Sequence, residues 1–121
     1  MALLPNLQLL YVRDVARSQA FYEALFDTKA SFSSPRYVAF LSDNGAAFAL
    51  WSGGEAPEPV APPRGELGLM LEGGDAVDQL WPRWRDLLDV EVVEPLHTAV
   101  FGRTFLLRDP DGHLIRVCQR D

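Results

Sequence analysis

The spacing of apolar and polar positions changes several times along the chain, and each change predicts an element. Residues 7 to 12, LQLLYV, form an apolar run rich in Leu, Tyr and Val that predicts a buried strand. In DVARSQAFYEALFD, Val15, Ala20, Phe21, Ala24, Leu25 and Phe26 recur at helical spacing, with Arg17, Gln19 and Glu23 between them. Asp14 stands where a helix N-cap belongs, because its carboxylate can accept from the free N–H groups of the first turn. After Asp27 come three short stretches, ASFSS, RYVAFLS and AAFALWS. Ser-Pro and Asp43-Asn44-Gly45 separate them, the latter suited to a hairpin turn that needs positive φ. The first half (about 5–52) therefore predicts a strand, a helix and three strands.

Residues 53–65, GGEAPEPVAPPRG, hold four prolines and three glycines and read as a linker. The pattern then begins again over about 66–120. ELGLMLEG predicts a strand, DAVDQLWPRWRDLL a helix strained by Pro82, VEVVEPLH and GRTFLLRD two strands, and GHLIRVCQR a last one. YVAFLSDNGAAFALW (37–51) aligns without gaps on TFLLRDPDGHLIRVC (104–118), and the turns at Asn44-Gly45 and Asp111-Gly112 coincide. A repeat this short implies two similar modules that each need the other to bury a sheet face. Strand side chains alternate, so Ala49 and Trp51 share one face of the first module's last strand, as Arg116 and Cys118 do in the second.

A chain of 121 residues with 48% hydrophobic content suits one domain with a real core. It has no apolar run long enough to cross a bilayer, and MALLPNLQLLYVRD lacks the basic flank and cleavage site of a signal peptide. The expectation is a soluble, cytoplasmic protein with no membrane partner. Cys118 is the single cysteine, which excludes an intramolecular disulfide and a Cys-rich zinc cluster. A net charge of −6 repels phosphate backbones, so no nucleic-acid partner is expected. No Gly-rich phosphate loop, nucleophile elbow, paired His-Glu zinc motif or Ser/His/Asp order is present. The glycine pairs at 53–54 and 73–74 read as turn geometry.

Two segments, YVRDVARSQAFYEALFD with its Phe-Tyr pair and the final hairpin FGRTFLLRDPDGHLIRV, carry a family likeness. Over essentially its whole length the chain resembles the vicinal oxygen chelate superfamily, which includes glyoxalase I, extradiol dioxygenases, fosfomycin-resistance enzymes and the bleomycin-resistance proteins. The resemblance implies an α+β fold of two βαβββ modules, whose curved mixed sheets enclose a cleft completed by a partner in a homodimer, either swapped or unswapped. It does not imply a reaction, because function lives in the site. Enzymes of the family hold a divalent metal with His, Gln or Glu on the first and last strands of the modules. Matched to this chain, those positions are Leu7, Ala49, Glu66 and Arg116. Leucine and alanine have no donor, and a guanidinium is a cation without a lone pair to give, so neither a metal nor any other cofactor is expected.

Other candidates have competing readings. Glu66 and Arg116 would face each other as an ion pair that either orients a polar ligand or merely neutralises two semi-buried charges. Gln8 would reach the first metal position only if the strand register slipped by one, and the register that leaves Leu7, Leu9 and Tyr11 on the cleft face is preferred. His97, placed in a loop PLHTAVFG, is either a ligand contact or base, or an exposed loop histidine, and the exposed reading is preferred. His113 follows the turn, out of line with the metal position, and is expected to be exposed. Trp51 and Phe101 match places where drug-sequestering members of the family sandwich a planar ligand; the alternative is ordinary core or interface packing. Trp81 and Trp84 are assigned to packing between helix and sheet.

Two functions from different classes follow. The first is a metal-free binding protein that holds an aromatic or cationic small molecule, such as an antibiotic, against Leu9, Tyr11, Trp51, Glu66, Met70, Phe101 and Arg116, with no catalytic residue. The second is a lyase, isomerase or dioxygenase-type enzyme, either with Gln8, Glu66 and His97 on a metal in unfamiliar positions or with Tyr11, Glu66 and Arg116 in acid-base work. The first is preferred, because three of the four metal positions are chemically unsuitable.

Overall fold

The structure is a computed structural model that describes residues 2–54, 56 and 65–120. It divides into two compact units, residues 1–58 and 59–121. Most of the Pro/Gly-rich stretch read as a linker, residues 55 and 57–64, lies outside the described residues. No helix among the described residues is long and apolar enough to cross a membrane.

The first unit contains β1 (Leu7–Tyr11), α1 (Val15–Phe26), β2 (Phe32–Ser33), β3 (Tyr37–Leu41) and β4 (Ala47–Trp51). Its sheet order is β1-β4-β3-β2, with β1 parallel to β4 and the other pairs antiparallel. The helix starts where the cap was expected: Asp14 accepts from the backbone N–H of Ala16 (3.1 Å) and Arg17 (3.2 Å). Such a cap contributes about 1 kcal/mol. The helix stops at Asp27, whose left-handed φ of 55° turns its N–H back to the Glu23 carbonyl. Phe21, Tyr22 and Leu25 are buried on the sheet. Phe48 of β4 meets Tyr22 and Phe26 edge-on, with ring centroids 4.7 and 5.4 Å apart.

The second unit contains β5 (Glu66–Leu71), α2 (Gly74–Trp84), β6 (Glu91–Ala99), β7 (Gly102–Arg108) and β8 (Leu114–Gln119), in sheet order β5-β8-β7-β6. Both units thus follow strand, helix, three strands, as the pattern predicts. Trp81 and Trp84 of α2 pack on Phe105 of β7 with centroids 5.0 and 6.3 Å away, which is the helix–sheet role expected of them. The second helix ends at Trp84, four residues before the expected Leu88. Pro82 has no N–H to return to the preceding turn, so the helix continues only two residues beyond it.

The internal repeat extends to the ladder register. Tyr37 pairs with Trp51 and Ala39 with Ala49, as Thr104 pairs with Cys118 and Leu106 with Arg116. On the parallel side, Leu7 pairs with Ala47 as Glu66 pairs with Leu114. Leu7 and Glu66 therefore hold equivalent places, and so do Ala49 and Arg116. Both hairpins close over four residues: Gly45 donates to the Ser42 carbonyl (3.1 Å) and Gly112 to the Asp109 carbonyl (3.0 Å). These glycines have φ of 88° and 93°, which a side chain would strain.

Two local expectations are corrected. Strand β6 runs on to Ala99, and the pairing of His97 with Thr104 places His97 within the sheet rather than in a loop. His113 is half-buried rather than exposed, because its N–H donates to the buried carboxylate of Asp109 and its carbonyl accepts from the Asp109 N–H.

Candidate functional site

In the first unit the helix covers one face of the sheet, and the strand register decides what the other face carries. Leu10, Phe40, Phe48 and Leu50 point toward α1. The opposite face carries Leu7, Leu9, Tyr11, Ala49, Trp51 and Tyr37. Leu9 is 37% exposed and Tyr11 46%, whereas Ala49, the ladder partner of Leu9, is fully covered. The register places Gln8 on the helix side, as preferred from the sequence. Tyr11 and Trp51 are direct partners across the parallel ladder, so their side chains stand side by side. This face offers stacking and apolar contact.

The equivalent face of the second unit carries charge at its centre. Arg116 on β8 donates from Nε to Glu66 Oε1 and from Nη2 to Glu66 Oε2, both 3.1 Å, a bidentate pairing with the start of β5. Its Nη1 donates to Glu94 Oε1 on β6 (3.0 Å) and to Thr104 Oγ1 on β7 (3.3 Å). Thr104 in turn donates to the Val117 carbonyl (2.7 Å) and is completely buried. The Phe101 ring lies 5.8 Å from the guanidinium carbon, within cation–π range. These contacts leave the Arg116 side chain only 17% exposed. The hydrogen bond to Glu66, opposed by partial burial and supported by Glu94, raises the Arg116 pKa above its ordinary value, so the cation is permanent.

His97 borders this group. Its Nδ1 lies 2.7 Å from the Pro95 carbonyl oxygen and must carry the hydrogen that bridges them. Its Nε2 faces Glu94 Oε1 at 3.8 Å. Met70 on β5 pairs with Cys118 on the same face and is 56% exposed. The polar group therefore sets two carboxylates against one guanidinium, with Met70 and Phe101 as its apolar neighbours.

The residues present do not fit the divalent metal that the fold family implies. Leu7 and Ala49 supply no donor, both oxygens of Glu66 accept from Arg116, and the guanidinium adds positive charge where a dication would sit. Among the described residues, no three His, Cys, Asp or Glu side chains cluster in a way that could hold a metal ion.

The expected Glu66–Arg116 pair is present, and Phe101 joins it through the guanidinium. Leu9, Tyr11 and Trp51 are assembled on one face of the first unit; Glu66, Met70, Phe101 and Arg116 belong to the second. Glu94 and Thr104 were missed. Counting alternate residues along β6 puts Glu94 and His97 on opposite faces. Two register shifts, between Val92 and Glu94 and between Glu94 and His97, bring both to the Arg116 face. Pro95, inside the predicted strand, was the available sign of irregular pairing.

Comparison with known proteins gives this geometry a context. The chain is 50% identical over 119 residues to the phenazine antibiotic resistance protein EhpR of Enterobacter agglomerans, covering 97% of this chain and 92% of that protein. Among solved structures, a possible glyoxalase from Bacillus cereus superposes with a TM-score of 0.75 at 25% identity, over 96% of this chain and 98% of that one. A glyoxalase-related enzyme from Fulvimarina pelagi superposes with a TM-score of 0.79 at 20% identity, over 99% and 89% of the two chains, and shows likeness of fold. The model of the Glyoxalase/Bleomycin resistance protein/Dioxygenase superfamily matches residues 5–117. The chain belongs to that superfamily.

Proposed function

We propose that this protein binds a planar aromatic antibiotic of the phenazine class and confers resistance by sequestering it, without a metal and without chemical change to the ligand. The observation that carries this reading is the 50% identity, over nearly the whole of both chains, to a phenazine antibiotic resistance protein. The site chemistry supports it. Leu9, Tyr11 and Trp51 are assigned to ring contact, since aromatic planes and aliphatic edges bind a fused ring system without acid or base. Glu66, Arg116, Met70 and Phe101 are assigned to the substituents, where the excess carboxylate favours a cationic or hydrogen-bond-donating group. Arg116 supports the metal-free reading, because its charge opposes a dication at the place where metalloenzymes of the family carry a carboxylate. The exposed apolar side chains of the first face suit a covered surface, and we read the protein as a cytoplasmic homodimer, either swapped or unswapped. Light scattering on the eluted protein should give twice the chain mass, and a monomer mass at micromolar concentration would reject that state.

Isothermal titration with phenazine-1-carboxamide, whose amide donates hydrogen bonds to the carboxylates, tests binding. Saturable heat at one ligand per chain is expected, unchanged by prior dialysis against a chelator, and the ligand should be recovered at its original mass. Trp51→Ala should weaken binding by about tenfold, the upper end of what an aromatic contact contributes. Absence of saturable binding would overturn the reading, as would a stoichiometric divalent metal that survives dialysis.

A further inference from the structure

We infer that Gly53 and Gly54 are positioning residues for the aromatic pair Tyr11 and Trp51. Their backbone abuts the two rings and fixes where the indole stands. A Cβ added at Gly53 would lie 2.2 Å from Cζ2, 2.5 Å from Cη2 and 2.7 Å from Cε2 of Trp51, all atoms of the six-membered ring. One added at Gly54 would lie 3.1 Å from Trp51 Cδ1 and 3.2 Å from both Cδ1 and Cε1 of Tyr11. Non-bonded carbons prefer about 3.5–4.0 Å, so Gly53 admits a side chain only if the indole moves away, and Gly54 admits one if a ring gives by a few tenths of an ångström.

Turn geometry does not account for the pair. Neither residue has φ in the left-handed region, where Gly45, Gly73, Gly102 and Gly112 lie. The glycines serve by leaving room, and each serves a different part of the pair: Gly53 the benzo ring of Trp51, Gly54 the pyrrole ring together with Tyr11.

The surrounding backbone holds both sides of this contact in place. Trp51 accepts from Val12 N (3.1 Å) and is paired with Tyr11 and Tyr37 across the ladder. Ser52, one residue before Gly53, donates to the Arg36 carbonyl (2.9 Å). With strand and loop both tied, a side chain at residue 53 is accommodated by swinging the indole, by roughly 1 Å or more given the contact distance above. A displacement of that size redirects a stacking surface. The consequence for ligand rests on the phenazine-binding reading; the consequence for the indole does not.

The test uses the full chain labelled with 5-fluorotryptophan. Its three tryptophans, at 51, 81 and 84, give three fluorine resonances, and Trp51→Phe assigns the first. Gly53→Ala should move the Trp51 resonance and leave those of Trp81 and Trp84 in place, with a smaller move for Gly54→Ala. Gly65→Ala, where an added Cβ meets nothing within 4 Å, should move none. Affinity for phenazine-1-carboxamide should fall by roughly tenfold in Gly53→Ala and stay at the wild-type value in Gly65→Ala. An unmoved Trp51 resonance overturns the inference, and so does a moved resonance with wild-type affinity. If the wild type binds no phenazine, the functional reading falls by itself and the fluorine shift alone decides the positioning role. If Gly53→Ala does not fold, Gly54→Ala, whose contacts are milder, carries both measurements.

Discussion

Arg116 holds Glu66 through two side-by-side hydrogen bonds, Nε to Oε1 and Nη2 to Oε2, each 3.1 Å long. The two residues are not register partners, since Arg116 pairs with Gly68 and Glu66 with Leu114. The guanidinium reaches diagonally to Glu66 on one side and to Glu94 on the other. One cation thereby ties together all four strands of its sheet, β5, β6, β7 and β8.

Unequal costs at the two ends of this pair follow from that arrangement. Arg116→Met leaves Glu66 and Glu94 without their shared cation, and Thr104 without a donor on one lone pair. It should destabilise by about 1–2 kcal/mol, a partly buried network discounted for its contact with water. Glu66→Gln keeps a hydrogen-bond acceptor and leaves Arg116 paired with Glu94, so its cost should stay below about 1 kcal/mol. Urea unfolding of the two variants checks the order. Equal or reversed costs would show that Arg116 does not organise the group.

The two hairpin turns match in backbone but not in side-chain support. The buried carboxylate of Asp109 accepts from the N–H groups of Asp111 and His113, both at 2.9 Å. In the first unit the exposed Asn44 side chain supports the turn, accepting from the Ala46 N–H at 3.1 Å. Asp109→Ala should therefore cost about 2–3 kcal/mol and Asn44→Ala less than about 1 kcal/mol, because only the first strips a buried charged acceptor from two donors. Thermal or urea denaturation reads both.

Acid should act on the first unit through Glu23. Its carboxylate accepts from the backbone N–H of Ala30 (2.9 Å) and from Gln19 Nε2 (3.1 Å), with Lys29 nearby at 3.7 Å. The Ala30 bond, then the Gln19 bond, lowers its pKa below the ordinary carboxylate value. A carboxylate with a depressed folded-state pKa adds stability that is fully present above the unfolded value and is lost as pH falls through the folded one. Glu23→Gln should thus be less stable than the wild type at neutral pH, and the difference should close as pH drops below the carboxylate range. Urea midpoints measured from pH 7 to pH 3 test this, and a constant difference would rule it out.

Much of this molecule was legible before any tertiary information. The gapless match of residues 37–51 on 104–118 foretold the congruent ladders because a hairpin turn of fixed length sets the register of both its strands. The cap at Asp14 was legible because capping is local, needing only a carboxylate two and three residues ahead of free N–H groups. The diagonal reach of Arg116 to Glu66 followed from pairing the first and last strands of a module.

Other features escaped for equally physical reasons. Glu94 and His97 share a face only because β6 slips its register around Pro95, and period-two counting fails at each slip. Gly53-Gly54 reads as a turn in sequence, whereas its role comes from an indole packed against it, and steric room leaves no sign in a one-dimensional pattern.

The sequence by itself determined the paired modules and the faces of the strands, because these depend on residue type and on spacing within one element; the unsuitability of Leu7, Ala49 and Arg116 as metal ligands came from the family resemblance it carries. Only the tertiary structure decided that Arg116 is shared by Glu66, Glu94 and Phe101, and that the backbone after β4 presses on Trp51. Those contacts join residues up to 50 positions apart, and their geometry is set by strand pairing, register slips and packing rather than by local preference.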